Sequence, residues 1–189
     1  MRRSARLIIL AAIIIAIIFA LAGCAPGKAA DSPGYVSGDG TVTIFKDTGD
    51  PVDLTGTSFQ GKPVDVAAYR GQVVLLNTWY ASCPPCRAEA PELAALDGRD
   101  NVQVIGINNR DDAGTAEAFE RTFAIEYPTI GDTDGGAIAA LQGIVAVNAV
   151  PTTIVLDTEG RLYARIIGRA EPSTLDSLVS DAAAMGSAQ

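Results

Sequence analysis

A chain of 189 residues with 22 acidic and 14 basic side chains, a net charge of −8 and no histidine is long enough for one ordinary domain plus a leader. The acidic balance offers no basic patch for a phosphate backbone, which argues against nucleic acid as a partner. With three cysteines and no imidazole, zinc and copper sites of the usual kinds lack ligands.

The chain opens on three arginines, Arg2, Arg3 and Arg6, followed by an unbroken apolar run from Leu7 to Ala22. That run falls short of the roughly 20 residues a relaxed membrane span needs. A basic start, an apolar middle and small residues at the end predict a secretory signal. Leu21-Ala22-Gly23-Cys24 resembles a bacterial lipobox, which implies cleavage after residue 23 and lipid on Cys24. The alternative is an uncleaved N-terminal anchor, and either one places the remainder outside the cytoplasmic membrane while tethered to a membrane. Two or three acyl chains exceed the threshold for stable attachment. Lipid on Cys24 would also account for the odd cysteine count, leaving Cys83 and Cys86 as a pair. Residues 24–40 are small, polar and rich in Pro and Gly, the composition of a flexible tether. The folded domain is then expected over residues 41–189.

Alternation over Thr41–Lys46 predicts a first strand, and Gly56–Gln72 reads as short extended pieces joined by glycine turns. Val73–Trp79 (VVLLNTW) predicts a strand buried on both faces. A helix is expected from Pro84 or Pro85 to about Leu96, its prolines sitting where a missing N–H costs nothing. Val102–Asn108 predicts the next strand, Ala113–Phe123 a helix and Asp134–Gln142 a shorter one. Thr152–Asp157 and Leu162–Ile167 predict two strands around a turn at Thr158–Gly160. The last helix is expected from Glu171 or Ser173, with Ser173 and Asp176 at capping-box spacing. Its apolar stripe would be Leu175, Leu178, Val179, Ala182 and Ala183. Strands alternating with helices, then a hairpin and a final helix, predict an α/β domain with a mixed central sheet.

The chemistry concentrates in Asn77–Pro91 (NTWYASCPPCRAEAP). Structural zinc wants four Cys or His ligands, which this chain does not supply, so no metal and no cofactor is expected. A purely structural disulfide across two intervening residues closes too small a loop to stabilise much. At a strand-to-helix junction, by contrast, the first cysteine meets the helix N-terminus, where the macrodipole and free N–H groups favour a thiolate. The second lies one turn in, placed to attack a mixed disulfide. This predicts Cys83 as nucleophile and Cys86 as resolving thiol. A peroxide-reducing site would want a proline and a threonine upstream of the cysteine; Thr78 is five residues before Cys83, and the matching proline is missing.

Asn77–Pro91 resembles the active-site segment of thioredoxin-like proteins, and in particular of TlpA/ResA-type membrane-anchored oxidoreductases. Trp79 matches the family tryptophan four residues before the nucleophile, and Pro91 the proline that bends the active-site helix. Ala149–Gly168 (AVPTTIVLDTEGRLYARIIG) resembles the family's cis-proline loop, strand, turn, strand and glycine. The similarity runs from about Thr41 to Ala184. It implies a thioredoxin-like fold, a central mixed β-sheet flanked by helices. An N-terminal β-hairpin would fall in Thr41–Gln60 and a central αβ insertion in Ala113–Gln142. It further implies a cis bond at Pro151, with the backbone of Val150 pairing to substrate and Trp79 beside it.

The pattern departs from the family at two positions. Ser82 stands where tryptophan is common, and Asn77 where thioredoxin has a buried aspartate. Glu89, three residues after Cys86 and on its helical face, matches the glutamate of ResA-type proteins, implying that it supplies the missing carboxylate; otherwise it is a solvated helix residue paired with an arginine. Pro84 and Pro85 remove two N–H groups from the vicinity of Cys83, which points towards a reductant. The expected protein is a lipid-anchored, extracytoplasmic, monomeric protein-disulfide reductase. The resemblance implies apocytochrome c haem-site cysteines as substrate and a membrane thiol–disulfide carrier as electron source. A thiol-dependent peroxidase and a non-catalytic peptide-binding module are the other readings.

Overall fold

The computed structural model describes residues 39–145 and 149–186. The leader, Cys24 and the tether up to residue 38 lie outside the described residues. Strand β1 (Thr41–Ile44) is followed by β2 (Thr55–Thr57), β3 (Pro63–Asp65), a short 3₁₀ turn (Val66–Tyr69) and β4 (Val73–Thr78). Helix α1 (Pro84–Asp97), β5 (Val102–Asn108), α2 (Ala113–Thr122), β6 (Thr129–Gly131) and α3 (Gly136–Ala140) come next. The chain closes with β7 (Thr152–Leu156), β8 (Leu162–Ile167) and α4 (Pro172–Gly186). Six strands form one mixed sheet in the order β1-β8-β7-β4-β5-β6, with β4, β5 and β6 parallel and the other pairings antiparallel.

Every residue of β4 is buried, and its alternation feeds two cores. Val73 and Leu75 join Val104, Val155 and Ile166 beneath Leu93 and Leu96 of α1 and Leu175, Leu178 and Ala182 of α4. Val74 and Leu76 join Ile105, Ile107 and Ile154 against Leu54, Val64 and Val66 and against Ile138 of α3. A strand covered on both faces has no polar face to alternate with, which is why β4 reads as a continuous apolar run. The predicted stripe of α4 is the one that packs, Val179 and Ala183 lying half-buried at its margin.

Three details differ from expectation. The hairpin is Thr55–Asp65, turning at Ser58–Lys62, where Ser58 N–H donates to the Lys62 carbonyl at 2.8 Å. Thr41–Ile44 instead pairs along β8, from Thr41 opposite Ile167 to Ile44 opposite Ala164, and so becomes an edge of the main sheet. Alternation announces a strand but not its partner. The three-residue β6 has no periodicity to read; it sits within the insertion and bridges to the hairpin through Ser58 and Ile130. Finally, α4 opens at Pro172 rather than at a Ser173 cap, and Asp176 reaches Arg99 at 2.7 Å. Proline at the first helical position gives up an N–H the helix cannot use anyway.

Candidate active site

Where β4 ends, the chain turns over the sheet, and a third cluster forms from Trp79, Tyr80, Cys83, Cys86, Ala116, Phe119 and Val150. Cys83 is the N-cap of α1. Pro84 and Pro85 fill the first two helical positions and have no N–H, so the first free N–H of the helix is that of Cys86. It donates to Cys83 Sγ at 3.2 Å. Cys83 therefore has one backbone donor on its sulfur where an ordinary helix start offers more. The two cysteines form a disulfide, with Sγ atoms 2.01 Å and Cα atoms 5.3 Å apart. Both are enclosed, Cys83 at 0 % and Cys86 at 2 % exposure. Pro91 lies within α1.

Glu89 is not a solvated helix residue; its exposure is 0 %. One carboxylate oxygen accepts from the side-chain amide of Asn77 at 2.8 Å, the other from the backbone N–H of Ala170 at 2.9 Å. Asn77 also donates to Thr153 Oγ1 at 3.0 Å. Burial drives the Glu89 pKa up from 4.5 to about 7, against the pull of the Ala170 and Asn77 hydrogen bonds and the Arg169 charge. A carboxyl group poised at neutral pH can take or give a proton with little driving force either way. The residue that departs from thioredoxin at position 77 thus serves the carboxylate at 89, because an amide can donate where a carboxylate cannot. Neighbouring Tyr127 is pushed up too, by its burial and then by the Glu89 charge.

Asn77→Asp is expected to set two buried carboxylates against each other and to remove the donor to Thr153. The loss should be about 2 kcal/mol or more. Denaturant titrations at pH 8 and pH 5 check this, and the loss should be larger at pH 8, where both groups tend to ionise.

Trp79, expected at the substrate face, is only 3 % exposed. Its ring stacks on Phe119 at 4.3 Å, Phe119 meets Phe123 at 4.6 Å, and the Arg87 guanidinium lies 5.0 Å above Phe123. The indole fits because β5 carries glycine beneath it. A Cβ on Gly106 would fall 2.6 Å from Trp79 Nε1 and 2.7 Å from Thr129 Oγ1. Gly106→Ala is therefore expected to cost about 2 kcal/mol by overpacking and to shift the tryptophan emission, checked by denaturation and fluorescence.

The Val150–Pro151 bond is cis. Its loop is tied to the end of β4 by Thr152 N–H donating to Thr78 Oγ1 at 2.9 Å, and to the residue just after β8 by Gly168 N–H donating to the Pro151 carbonyl at 2.9 Å. This carries Val150 into the cluster that holds both cysteines, 64 residues after Cys86 in the chain. Among the described residues no group of three or more His, Cys, Asp or Glu is placed to hold a metal ion. Cys24 lies outside them. Thr153 and Ala170 carry no local signal of a role, since each matters only through the fold that brings it to Asn77 or Glu89.

Residues 48–165 match the AhpC/TSA family. The thiol:disulfide interchange protein HelX of Rhodobacter capsulatus is 33% identical over 98 residues, 52% of this chain and 53% of that one. The chain thus spans about half the length of that relative. The thiol-disulfide oxidoreductase ResA of Bacillus cereus is 25% identical over 146 residues, covering 76% and 80% of the two chains. Among solved structures, a secreted thiol-disulfide isomerase from Corynebacterium glutamicum superposes with a TM-score of 0.68 at 28% identity, covering 79% of this chain and 96% of that one.

Proposed function

The chain belongs to the AhpC/TSA family, and from that premise we propose that it is an extracytoplasmic thiol–disulfide oxidoreductase that reduces protein disulfides. The observation that carries this reading is the Cys83–Cys86 disulfide at the start of α1, with the fully buried carboxyl group of Glu89 three residues further along the same helix. In the reduced protein the Cys83 thiolate attacks a substrate disulfide, forming one S–S bond and expelling one substrate thiolate. Cys86, once deprotonated, attacks Cys83, releases the second substrate thiolate and closes the disulfide seen here. Two electrons pass to the substrate. Glu89 exchanges the proton of the Cys86 thiol through the helical face the two share.

The loop of Val150 and Pro151 receives the substrate backbone beside the cysteines, and Trp79 shapes the wall behind them. The single N–H offered to Cys83 Sγ leaves the thiolate poorly stabilised, which favours a reductant over an oxidant. The names of the HelX and ResA relatives support the reaction type. The finer reading is a lipid anchor on Cys24, apocytochrome c as substrate and a membrane thiol carrier as electron source. Among the described residues no helix is long and apolar enough to cross a membrane.

Cys86→Ser tests this reading. With Cys83 intact and no resolving thiol, the variant should accumulate a mixed disulfide with a peptide carrying an oxidised Cys-x-x-Cys-His segment, visible by mass and released by dithiothreitol. No adduct, or an adduct that persists when Cys83 is also serine, would contradict the assigned roles.

A further inference from the structure

The parallel ladder between β4 and β5 delivers its last backbone bond at Trp79, whose N–H donates to the Ile107 carbonyl at 3.1 Å. Two residues on, Ala81 N–H is next in the alternation, but the chain has already bent into the turn that carries Cys83, closed by Cys83 N–H on the Tyr80 carbonyl at 3.1 Å. Among the described residues no strand carbonyl takes the Ala81 N–H. A side chain takes that place, Asp111 Oδ2 accepting it at 2.6 Å. The other side of Ala81 is held as well, its carbonyl accepting from Arg87 Nη1 at 3.2 Å.

Asp111 is itself fixed. Its Oδ2 also accepts from Asn108 Nδ2 at 2.8 Å, and Asn108 Oδ1 accepts the N–H groups of Arg110 at 3.0 Å and Asp111 at 3.1 Å. Asn108, the last residue of β5, is 0 % exposed. The Arg110 guanidinium lies 4.5 Å over the Tyr80 ring. The turn before the nucleophile is thus fastened to the β5–α2 loop by a charge-assisted hydrogen bond, shorter and stronger than a neutral one.

We propose that Asp111 is a positioning residue for thiol–disulfide exchange, holding the Ala81 peptide so that Cys83 stays at the N-terminus of α1. The proposal rests on the redox reading above. Loss of the clamp lets the turn move, and misplacement of a reacting atom by about an ångström is costly to rate.

Asp111→Ala is expected to lower the second-order rate of exchange with a model protein disulfide about tenfold with the fold intact by circular dichroism. Asp111→Asn keeps an acceptor oxygen without the charge, and should recover the rate to within about threefold of wild type. In the wild-type protein, amide hydrogen exchange should show the Ala81 N–H protected, and this measurement stands even if a variant does not fold. A freely exchanging Ala81 amide, a wild-type rate in Asp111→Ala, or equal losses in the Ala and Asn variants would each overturn the proposal. A wild-type protein with no exchange activity would instead overturn the redox reading, so the two failures are distinguishable.

Discussion

Replacing Cys83 by serine is expected to lower protein-disulfide reduction on the order of a thousandfold or more, the scale seen when a covalent nucleophile is removed. Attack on a disulfide requires a thiolate, and a serine hydroxyl is not ionised near neutral pH. The fold should tolerate the change, because serine is close to cysteine in size and Cys83, though enclosed, belongs to the third cluster and to neither core of the sheet. The comparison that isolates chemistry from stability is the reduced wild type, which lacks the cross-link as the variant does. A Cys83→Ser protein that still reduces a model disulfide at wild-type rate would remove the nucleophile assignment altogether.

The second large effect belongs to Glu89. Its folded-state pKa of about 7 lies above the ordinary 4.5, so the folded protein keeps a proton that the unfolded chain has already released. Stability from this group is complete below pH 4.5, declines as pH rises towards 7 and is lost above it. The total is about 3 kcal/mol. Glu89→Gln cannot ionise, so the difference between wild type and variant in denaturant titrations at pH 5 and pH 8 should change by about that amount. At low pH the protonated wild-type carboxyl, like the amide, offers one carbonyl oxygen to the Asn77 and Ala170 donors, so the two proteins are closest there. Exchange rate should respond too. Losing a proton acceptor matched to neutral pH is expected to cost about a hundredfold, and the inflection near pH 7 in the rate profile should disappear. Parallel pH curves for the two proteins would show that Glu89 does not titrate in that range.

The strands that matter most were legible because they are buried on both faces. Val73–Thr78, Val102–Asn108 and Thr152–Leu156 declare themselves as apolar or β-rich runs bounded by turns. Cys83, Cys86 and Pro151 were legible as motif, and the fold places the loop of Pro151 in the neighbourhood of the cysteines. The three-residue β6 escaped, too short for any period. Glu89 could be set on the face of Cys86 from spacing alone. Its burial could not, since that depends on Ala170, 81 residues away, and on Asn77 of β4, the strand before the helix. Asp111 gave no signal at all. Its acceptor role exists only because β4 bends away from β5 after Trp79, and nothing local announces where a parallel ladder will run out.

The reduction potential of the Cys83–Cys86 pair, set by equilibration against glutathione or dithiothreitol at pH 7, tests the account most directly. Two prolines, one N–H on Cys83 Sγ and a buried carboxyl group three residues on in the same helix all leave the thiolate weakly stabilised. The expected value therefore lies on the reducing side, near that of thioredoxin at about −270 mV. A value near that of DsbA, about −120 mV, would contradict it and make the protein an oxidant.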